Sequence, residues 1–273
     1  MYNLVLGTGM GFGIPSSEQI KIMHGVGWEG AFVSCSPDHP PEQSAKALYE
    51  CGMKFQSTHA PFNRVDRLWE EGDEGDDFTN VLIKCVENTA AVGVPLMIVH
   101  TIIGMEKCTP TEIGLPRFEK IVLAGEKHGV KIAFENTEGE EYLEYLLKHF
   151  ASSDYAGFCI DTGHEMCYNA KRDLITKYAS KLCCTHLNDN MGQTGEKITW
   201  YDDSHMLPFD GVADWKGIAA RLKAAGYKGD LTFELNSKNK PERDTHRIYA
   251  GLDFEQYISL AFERAKKFKE LML

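Results

Sequence analysis

The chain has 273 residues, of which 43% are hydrophobic and 25% are charged, and its formal net charge is −11. These values are typical of one globular domain and exclude a disordered or fibrous chain. The acidic balance disfavours nucleic acid as the main partner, because such binding needs a positive surface, and no apolar run approaches the length of a membrane span.

Two further features of the chain bear on its location. The first residues, MYNLVLGTGMGFG, lack the basic segment and apolar core of a signal peptide. The eight cysteines show no CxxC spacing, so neither a disulfide framework nor a thiolate zinc site is indicated. We therefore expect a cytoplasmic protein with no membrane partner.

Eight short apolar runs alternate with segments of helical character. Most runs are apolar on both faces, as the strands of a parallel sheet covered by helices must be. This pattern predicts an α/β protein with a (β/α)8 TIM barrel, built as a single domain over residues 1–273, and an open doubly wound sheet is the main alternative. The predicted strands are 4–6, 31–34, 54–58, 96–100, 131–135, 157–161, 182–186 and 231–235.

Two segments between and after these strands have the clearest helical periodicity. Apolar residues recur every three or four positions in 78–90 and again in 254–265, and Gly93 ends the first of these helices. The acidic stretch WEEGDEGDD (69–77) comes directly before the first helix, where carboxylates interact favourably with the helix N-terminus. We expect this stretch to be a surface loop.

The longest interruption is the segment 188–211, between the seventh and eighth predicted strands. A loop of this length inside a compact domain is usually functional. Within it, Trp200 and Tyr201 could stack on a sugar or could anchor the loop. After the eighth strand, NSKNKPER (236–243) is either a phosphate-binding segment, as barrels often have there, or a solvated loop.

The ends of the predicted strands carry the candidate chemistry. Strands three to eight each run into a His, Asp or Glu, and the carboxyl ends of barrel strands form the rim where active sites lie. One such residue alone is more often a structural histidine or a helix-capping acid, but six in succession are hard to explain in that way. The six residues are His59, His100, Glu135, Asp161, His186 and Glu234.

The carboxylate of Asp161 is predicted to be buried, so its negative charge must be compensated. In FCIDTGHEMCYN (158–169) an apolar strand ends in this acid, and burying a carboxylate is costly unless it is paired. We predict that Asp161 is held ionised by a divalent cation shared with Glu135, His186 and Glu234. Three carboxylates and one imidazole suit Mn²⁺, Mg²⁺ or Co²⁺, and Zn²⁺ is also compatible. Candidate residues that orient these ligands are Asn136 and Asn188.

Seven short motifs lie within about residues 55–240. They are THAPFN (58–63), IVH (98–100), FEN (134–136), IDTGH (160–164), THLNDN (185–190), DSHMLPFDGVADW (203–215) and FEL (233–235). In combination these motifs resemble the xylose isomerase-like TIM-barrel superfamily, also known as AP endonuclease family 2, which contains sugar and sugar phosphate isomerases and epimerases together with type IV AP endonucleases. The motifs are specific for the superfamily, but they do not specify a substrate.

The resemblance to the ketose epimerase branch implies a mechanism. The residues matching Glu135, Asp161, His186 and Glu234 hold one metal there, and the two glutamates also act as acid and base on opposite faces of the substrate. A metal-stabilised enediolate then permits proton transfer next to a carbonyl. The resemblance therefore implies a sugar or sugar phosphate isomerase or epimerase of carbohydrate metabolism, with a small-molecule sugar as substrate and, by analogy only, association into homo-oligomers.

The remaining polar residues of the rim have open roles. The residue matching His164 contacts substrate in the epimerase branch, and His59 and His100 would line the pocket or hold additional metal. Asp203 and His205, which the long loop supplies, could bind metal or could pin that loop. The epimerase branch also has an arginine in the region occupied here by residues 192–193, Gly and Gln. A ketose 3-epimerase specifically therefore does not follow from the sequence.

Two other functions are compatible with the same motifs. The type IV AP endonucleases use a three-zinc site with nine ligands, which would activate water for attack on a phosphodiester, and the acidic balance weighs against this alternative. A non-catalytic barrel subunit is the second alternative, and the intact ligand set weighs against it. The nine residues matching the endonuclease ligands are His59, His100, Glu135, Asp161, His164, His186, Asp203, His205 and Glu234.

Overall fold

The structure of the protein, a computed structural model, describes residues 2–105, 109–170 and 172–273. It contains one eight-stranded sheet in the order β7-β6-β5-β4-β3-β2-β1-β8, and every ladder between neighbouring strands is parallel. The strands are β1 (Leu4–Gly7), β2 (Gly30–Ser34), β3 (Lys54–His59), β4 (Leu96–His100), β5 (Lys131–Glu135), β6 (Ala156–Asp161), β7 (Leu182–His186) and β8 (Leu231–Phe233).

The two end strands of this sheet meet and nearly close it into a barrel. Leu187 forms a parallel bridge with Phe233 just beyond β7. The Leu187 N–H donates to the Thr232 carbonyl at 2.8 Å, and the Glu234 N–H donates to the Leu187 carbonyl at 3.3 Å. The predicted (β/α)8 barrel is therefore confirmed, and the open doubly wound sheet is excluded.

Helices surround the barrel, and in the described part of the chain there are nine α-helices. The two helices predicted from periodicity are α3 and α9, and the Gly93 N–H donates to the Ala90 carbonyl just beyond α3. The helices are α1 (Ser16–Val26), α2 (Glu42–Glu50), α3 (Asp73–Ala91), α4 (Gly114–His128), α5 (Glu140–His149), α6 (Thr162–Cys167), α7 (Leu174–Lys177), α8 (Trp215–Ala224) and α9 (Phe254–Met272). No helix in the described ranges is both long enough and apolar enough to span a membrane.

The apolar core has two parts. The large one lies between the strands and the helices, because the outward faces of the strands pack against the buried faces of the helices. The small one shares the strand face of the rim residues, since side chains two positions apart point the same way. It therefore fills the barrel interior directly beneath the rim. Its buried members are Leu96, Ile98, Ala133, Cys159 and Cys184.

The long segment after β7 folds back over the rim. Asp189 forms an antiparallel bridge with Met206, and its carboxylate accepts hydrogen bonds from the Ala213 N–H at 2.9 Å and the Trp215 indole N–H at 2.8 Å. These contacts fix both ends of the loop. As a result, Asp203 and His205 lie over the carboxyl ends of the strands.

A candidate metal centre at the carboxyl rim of the barrel

Glu135, at the end of β5, lies at the centre of a cluster of histidines. Its Oε1 is 2.8 Å from His186 Nδ1, and its Oε2 is 3.2 Å from His59 Nε2 and 3.2 Å from His100 Nε2. Burial raises the pKa of the Glu135 carboxyl, but the charge of His186 and hydrogen bonds from the three histidines outweigh burial and hold this pKa well below its usual range. Glu135 is therefore an ionised carboxylate inside the barrel.

His186, at the end of β7, lies between two carboxylates. Its Nδ1 is 2.8 Å from Glu135 and 3.1 Å from Glu234 Oε2. Burial lowers the pKa of His186, but the charges of Glu135 and Glu234 outweigh it and raise this pKa well above its usual value. Without a metal, a proton on the imidazole thus supplies the positive charge between the two acids. A cation bound there would displace that proton.

Asp161 ends β6 and is fully buried. It caps α6, since Oδ1 accepts the His164 N–H at 2.7 Å, and its Oδ2 accepts a hydrogen bond from the Asn188 amide at 2.7 Å. Burial raises the pKa of Asp161 to about 6 despite the opposing charges of His164 and His205. Asp161 therefore does cap α6, but these two hydrogen bonds do not neutralise the charge of its carboxylate.

The two asparagines predicted to orient ligands both contact Asp161. The Asn188 contact is to the carboxylate itself, whereas the side chain of Asn136 pairs with the backbone of Asp161, accepting its N–H at 2.7 Å and donating to its carbonyl at 2.9 Å. These bonds fix the strand end and the carboxylate independently. Such outer contacts are what hold metal-binding side chains in place.

A second polar group, formed by Asp203, His164 and His205, lies beside Asp161. Asp203 Oδ2 is 3.0 Å from His205 Nε2 and 3.4 Å from His164 Nε2. Burial raises the pKa of Asp203, but the charges of the two histidines hold it well below its usual range. The same ion pairing raises the pKa of His205 to about 9 against the effect of burial.

The geometry of these side chains fits a divalent cation. In Glu135, Asp161, His186 and Glu234, one ligand atom per residue can be chosen such that all four atoms lie within 4.8 Å of one another. Three carboxylates crowded around one imidazole repel one another unless a positive charge lies among them. Four smaller groups of described residues also have ligand atoms within 4.8 Å of one another. They are His59, His100 and Glu135; His59, His186 and Glu234; Asp161, His164 and His205; and Cys159, Cys184 and His186.

A cavity of about 710 Å³ opens above this cluster. This volume lies within the usual range of about 300–1,000 Å³ for small-molecule sites. Five of the predicted site residues are in its wall, namely His100, His164, Asp203, His205 and Glu234. The wall also contains residues that sequence reasoning did not assign, including Phe62, Glu138, Tyr168 and Lys240.

Three of these unassigned residues could have been predicted from their spacing in the sequence. Tyr168 is four positions after His164, one turn further along, and their ring centroids are 5.0 Å apart. Glu138 follows Glu135 by three positions at the same rim, and its Oε1 accepts the Gly104 N–H at 2.9 Å. Phe62 is in the THAPFN motif and stacks on His100 with ring centroids 4.3 Å apart. Spacing from a predicted site residue was the signal in each case.

Fold and site together define a class of protein: a (β/α)8 barrel with a cluster of carboxylates and imidazoles at its carboxyl rim. The model of the xylose isomerase-like TIM barrel family matches residues 38–254. The chain therefore belongs to the xylose isomerase-like TIM barrel family. The match extends beyond residues 55–240, over which the sequence motifs were found.

Two curated relatives are similar over most of the chain. An uncharacterised protein from Sinorhizobium fredii is 28% identical in an alignment 262 positions long, and the match covers 82% of this chain and 81% of the relative. A protein named probable endonuclease 4 from Cenarchaeum symbiosum is 28% identical over 211 residues, covering 67% of this chain and 72% of the relative.

Solved structures share the fold at low sequence identity. A D-psicose 3-epimerase solved in the presence of D-fructose has a TM-score of 0.75 and 12% identity, with 99% of each chain covered. A xylose isomerase-like TIM barrel/4-hydroxyphenylpyruvate dioxygenase fusion protein has a TM-score of 0.76 and 14% identity, and the match covers 99% of this chain but 43% of that one. At these identities the likeness is one of fold.

Proposed function

We propose that the protein is a metal-dependent sugar isomerase or epimerase that moves a proton on a carbon next to a carbonyl. The observation that carries this proposal is the group formed by Glu135, Asp161, His186 and Glu234, whose ligand atoms lie within 4.8 Å of one another beneath a cavity of small-molecule size. The epimerase names among its structural neighbours support the choice of reaction class.

The four residues of this group would hold one Mn²⁺, Mg²⁺, Co²⁺ or Zn²⁺ ion. When bound, such an ion polarises a carbonyl and an adjacent hydroxyl and so lowers the cost of the enediolate. The buried carboxylate of Asp161 would act as a ligand, and the bonds from Asn188 and from the His164 N–H hold its two oxygens in place.

We assign removal of the substrate proton to Glu234. Its side chain is 27% exposed and is in the cavity wall, whereas that of Glu135 is fully buried. We assign the return of a proton to Glu135, because His59 lies 3.2 Å from its Oε2 and can pass it a proton. The proton leaves the C–H bond for the Glu234 carboxylate. Glu135 takes a proton from the His59 imidazolium, gives it to the opposite face of the carbon, and is then an ionised carboxylate again.

The walls of the cavity support a sugar as substrate. Trp200 is 49% exposed and Phe62 is 43% exposed, so each presents an aromatic surface at the cavity. Aromatic faces suit the C–H faces of a sugar ring, and the polar groups of Asn236, Thr8 and Ser34 nearby offer partners for its hydroxyls.

The type IV AP endonuclease reaction is the second candidate. It is favoured by one observation, namely that all nine matching residues lie in a contiguous cluster, and by the relative named probable endonuclease 4. The net charge of −11 disfavours DNA as a substrate. Cleavage of DNA with an abasic site distinguishes this candidate directly.

The test of the proposed function is solvent exchange. The metal-loaded protein is incubated in D2O with a ketose panel that includes D-fructose and D-psicose, and deuterium on the carbon next to the carbonyl is followed by NMR. We expect exchange in the wild type and a fall of roughly 10²- to 10⁴-fold in Glu234→Gln, because the general base is lost. The exposed Glu242→Gln is the matched control and should keep the wild-type rate. Near-normal exchange in Glu234→Gln would contradict the assignment.

A further inference from the structure

Asp203 has a third cationic neighbour besides its two histidines. The ammonium of Lys240, which follows β8, lies 3.9 Å from Asp203 Oδ2, the oxygen that His164 and His205 also approach. Among the described residues that line the cavity, Lys240 is the only lysine or arginine. A fixed positive charge therefore lies beside the carboxylate that contacts both His164 and His205.

The position of this ammonium is defined by an aromatic ring. Lys240 Nζ lies 5.3 Å from the centroid of Trp200, a residue of the long loop between β7 and β8. Its side chain is 20% exposed. Lys238, two positions earlier, is exposed and instead lies over Phe12 at 5.7 Å. The two lysines thus have similar ring contacts, but only Lys240 also lies beside Asp203.

We propose that the Lys240 ammonium replaces a third metal ion as the positive charge beside Asp203, His164 and His205, and so prevents these three residues from binding one. An ion held by these three residues would lie within a few ångströms of the ammonium. At the effective dielectric constant of about 20 that applies near a protein surface, like charges so close repel strongly enough to lower affinity by at least about tenfold. Metal binding would then be confined to the two groups that share Glu135.

This inference rests on the proposed function and deepens it. A three-ion cluster suits activation of water for attack on a phosphodiester, whereas one ion between Glu135 and Glu234 suffices for proton transfer next to a carbonyl. By limiting the number of ions, Lys240 would make carbonyl chemistry the reaction that this site supports.

The experiment counts metal ions. Protein stripped with a chelator is titrated with Zn²⁺ by calorimetry at neutral pH, and zinc per chain is measured after desalting. Four proteins are compared: wild type, Lys240→Gln, Lys240→Arg and Lys238→Gln. We expect one or two ions in the wild type and one more ion in Lys240→Gln, with affinity for that ion raised at least about tenfold. Lys240→Arg keeps the charge and Lys238→Gln removes a charge elsewhere, so both should match the wild type.

The outcomes separate this inference from the proposed function. If the wild type binds one or two ions and Lys240→Gln binds the same number, the inference is wrong and the proposed function stands. Three ions in the wild type also overturn the inference and favour the phosphodiesterase. If the wild type takes up no ion at all, the proposed function fails as well.

Discussion

At the scale of single residues, the site is a balance of charge among buried groups. Glu135, Asp161 and Glu234 place three carboxylates around His186, and the imidazole alone cannot neutralise them. Burial therefore leaves Asp161 with a pKa of about 6, while Glu234, nearer to His186, has a pKa of about 2 although burial opposes this. The pKa of Glu234 is the lower of the two because Glu234 lies nearer to the positive charge of His186. A cation bound among the carboxylates would lower the pKa of Asp161 as well.

The rim residues could be predicted from the sequence because each follows an apolar run that is long enough to be a strand. His164 and Asp203 were found for a related reason, since they belong to motifs. Lys240 could not be assigned, because a lysine in a loop is usually solvated and only the fold decides what it faces. The contact of Lys240 with Asp203 joins two loops whose relative position no local pattern encodes.

A residue outside the metal cluster should make stability depend on pH. His246 is 3% exposed, and burial together with the charge of His205 lowers its pKa to about 4. Between pH 4 and about 6.5 the unfolded chain thus binds a proton that the folded chain does not, so this group makes the free energy of unfolding rise with pH over that window and has no effect above it.

Denaturant unfolding of the metal-loaded protein at several pH values measures this dependence. His246→Gln should show a shallower rise between pH 4 and 6.5 than the wild type, whereas the exposed His128→Gln should follow the wild type. Equal slopes in the wild type and His246→Gln would show that His246 is not buried in its neutral form.

At the scale of elements, the strands were predicted well because parallel strands buried on both faces are continuous apolar runs. β4, β5 and β7 have the predicted bounds, but β8 ends at Phe233 rather than at residue 235. The Glu234 N–H still donates to the Leu187 carbonyl beyond β7, but the Asn236 N–H donates to the His205 carbonyl of the long loop instead of to a strand. β8 therefore stops where the site begins.

The start of α6 has a glycine for a steric reason. A Cβ at Gly163 would overlap Oδ1 of Asn188, the residue whose amide holds Asp161. We expect Gly163→Ala to destabilise the protein by about 1–3 kcal/mol through this overlap, and to weaken metal binding at least about tenfold because Asp161 loses its support.

Gly25 in α1 offers a matched control, because a Cβ there would meet no atom within 4 Å. Gly25→Ala should leave metal affinity unchanged and should raise stability by about 0.5–1 kcal/mol, as alanine is favoured over glycine inside a helix. Chemical denaturation and calorimetric metal titration of both variants make the comparison. Wild-type metal affinity in Gly163→Ala would show that the Asn188 contact does not support the site.

At the scale of the whole molecule, the barrel explains why residues far apart in the chain meet. Parallel strands all end at the same rim, so β3 to β8 bring side chains separated by up to 175 positions to one place. The loop after β7, held by Asp189, covers this rim and adds the second polar group. The fold thus supplies a scaffold, and the side chains at the rim, rather than the fold itself, determine the chemistry.

The central claim is that Glu135, Asp161, His186 and Glu234 bind a divalent cation. The measurement that tests it most directly is elemental analysis of untagged protein, purified without added metal, with Asp161→Asn prepared in the same way. We predict at least one Mn, Mg, Co or Zn ion per wild-type chain and a marked loss in the variant. A wild-type protein that contains no such metal, and takes none up on titration, would contradict the account.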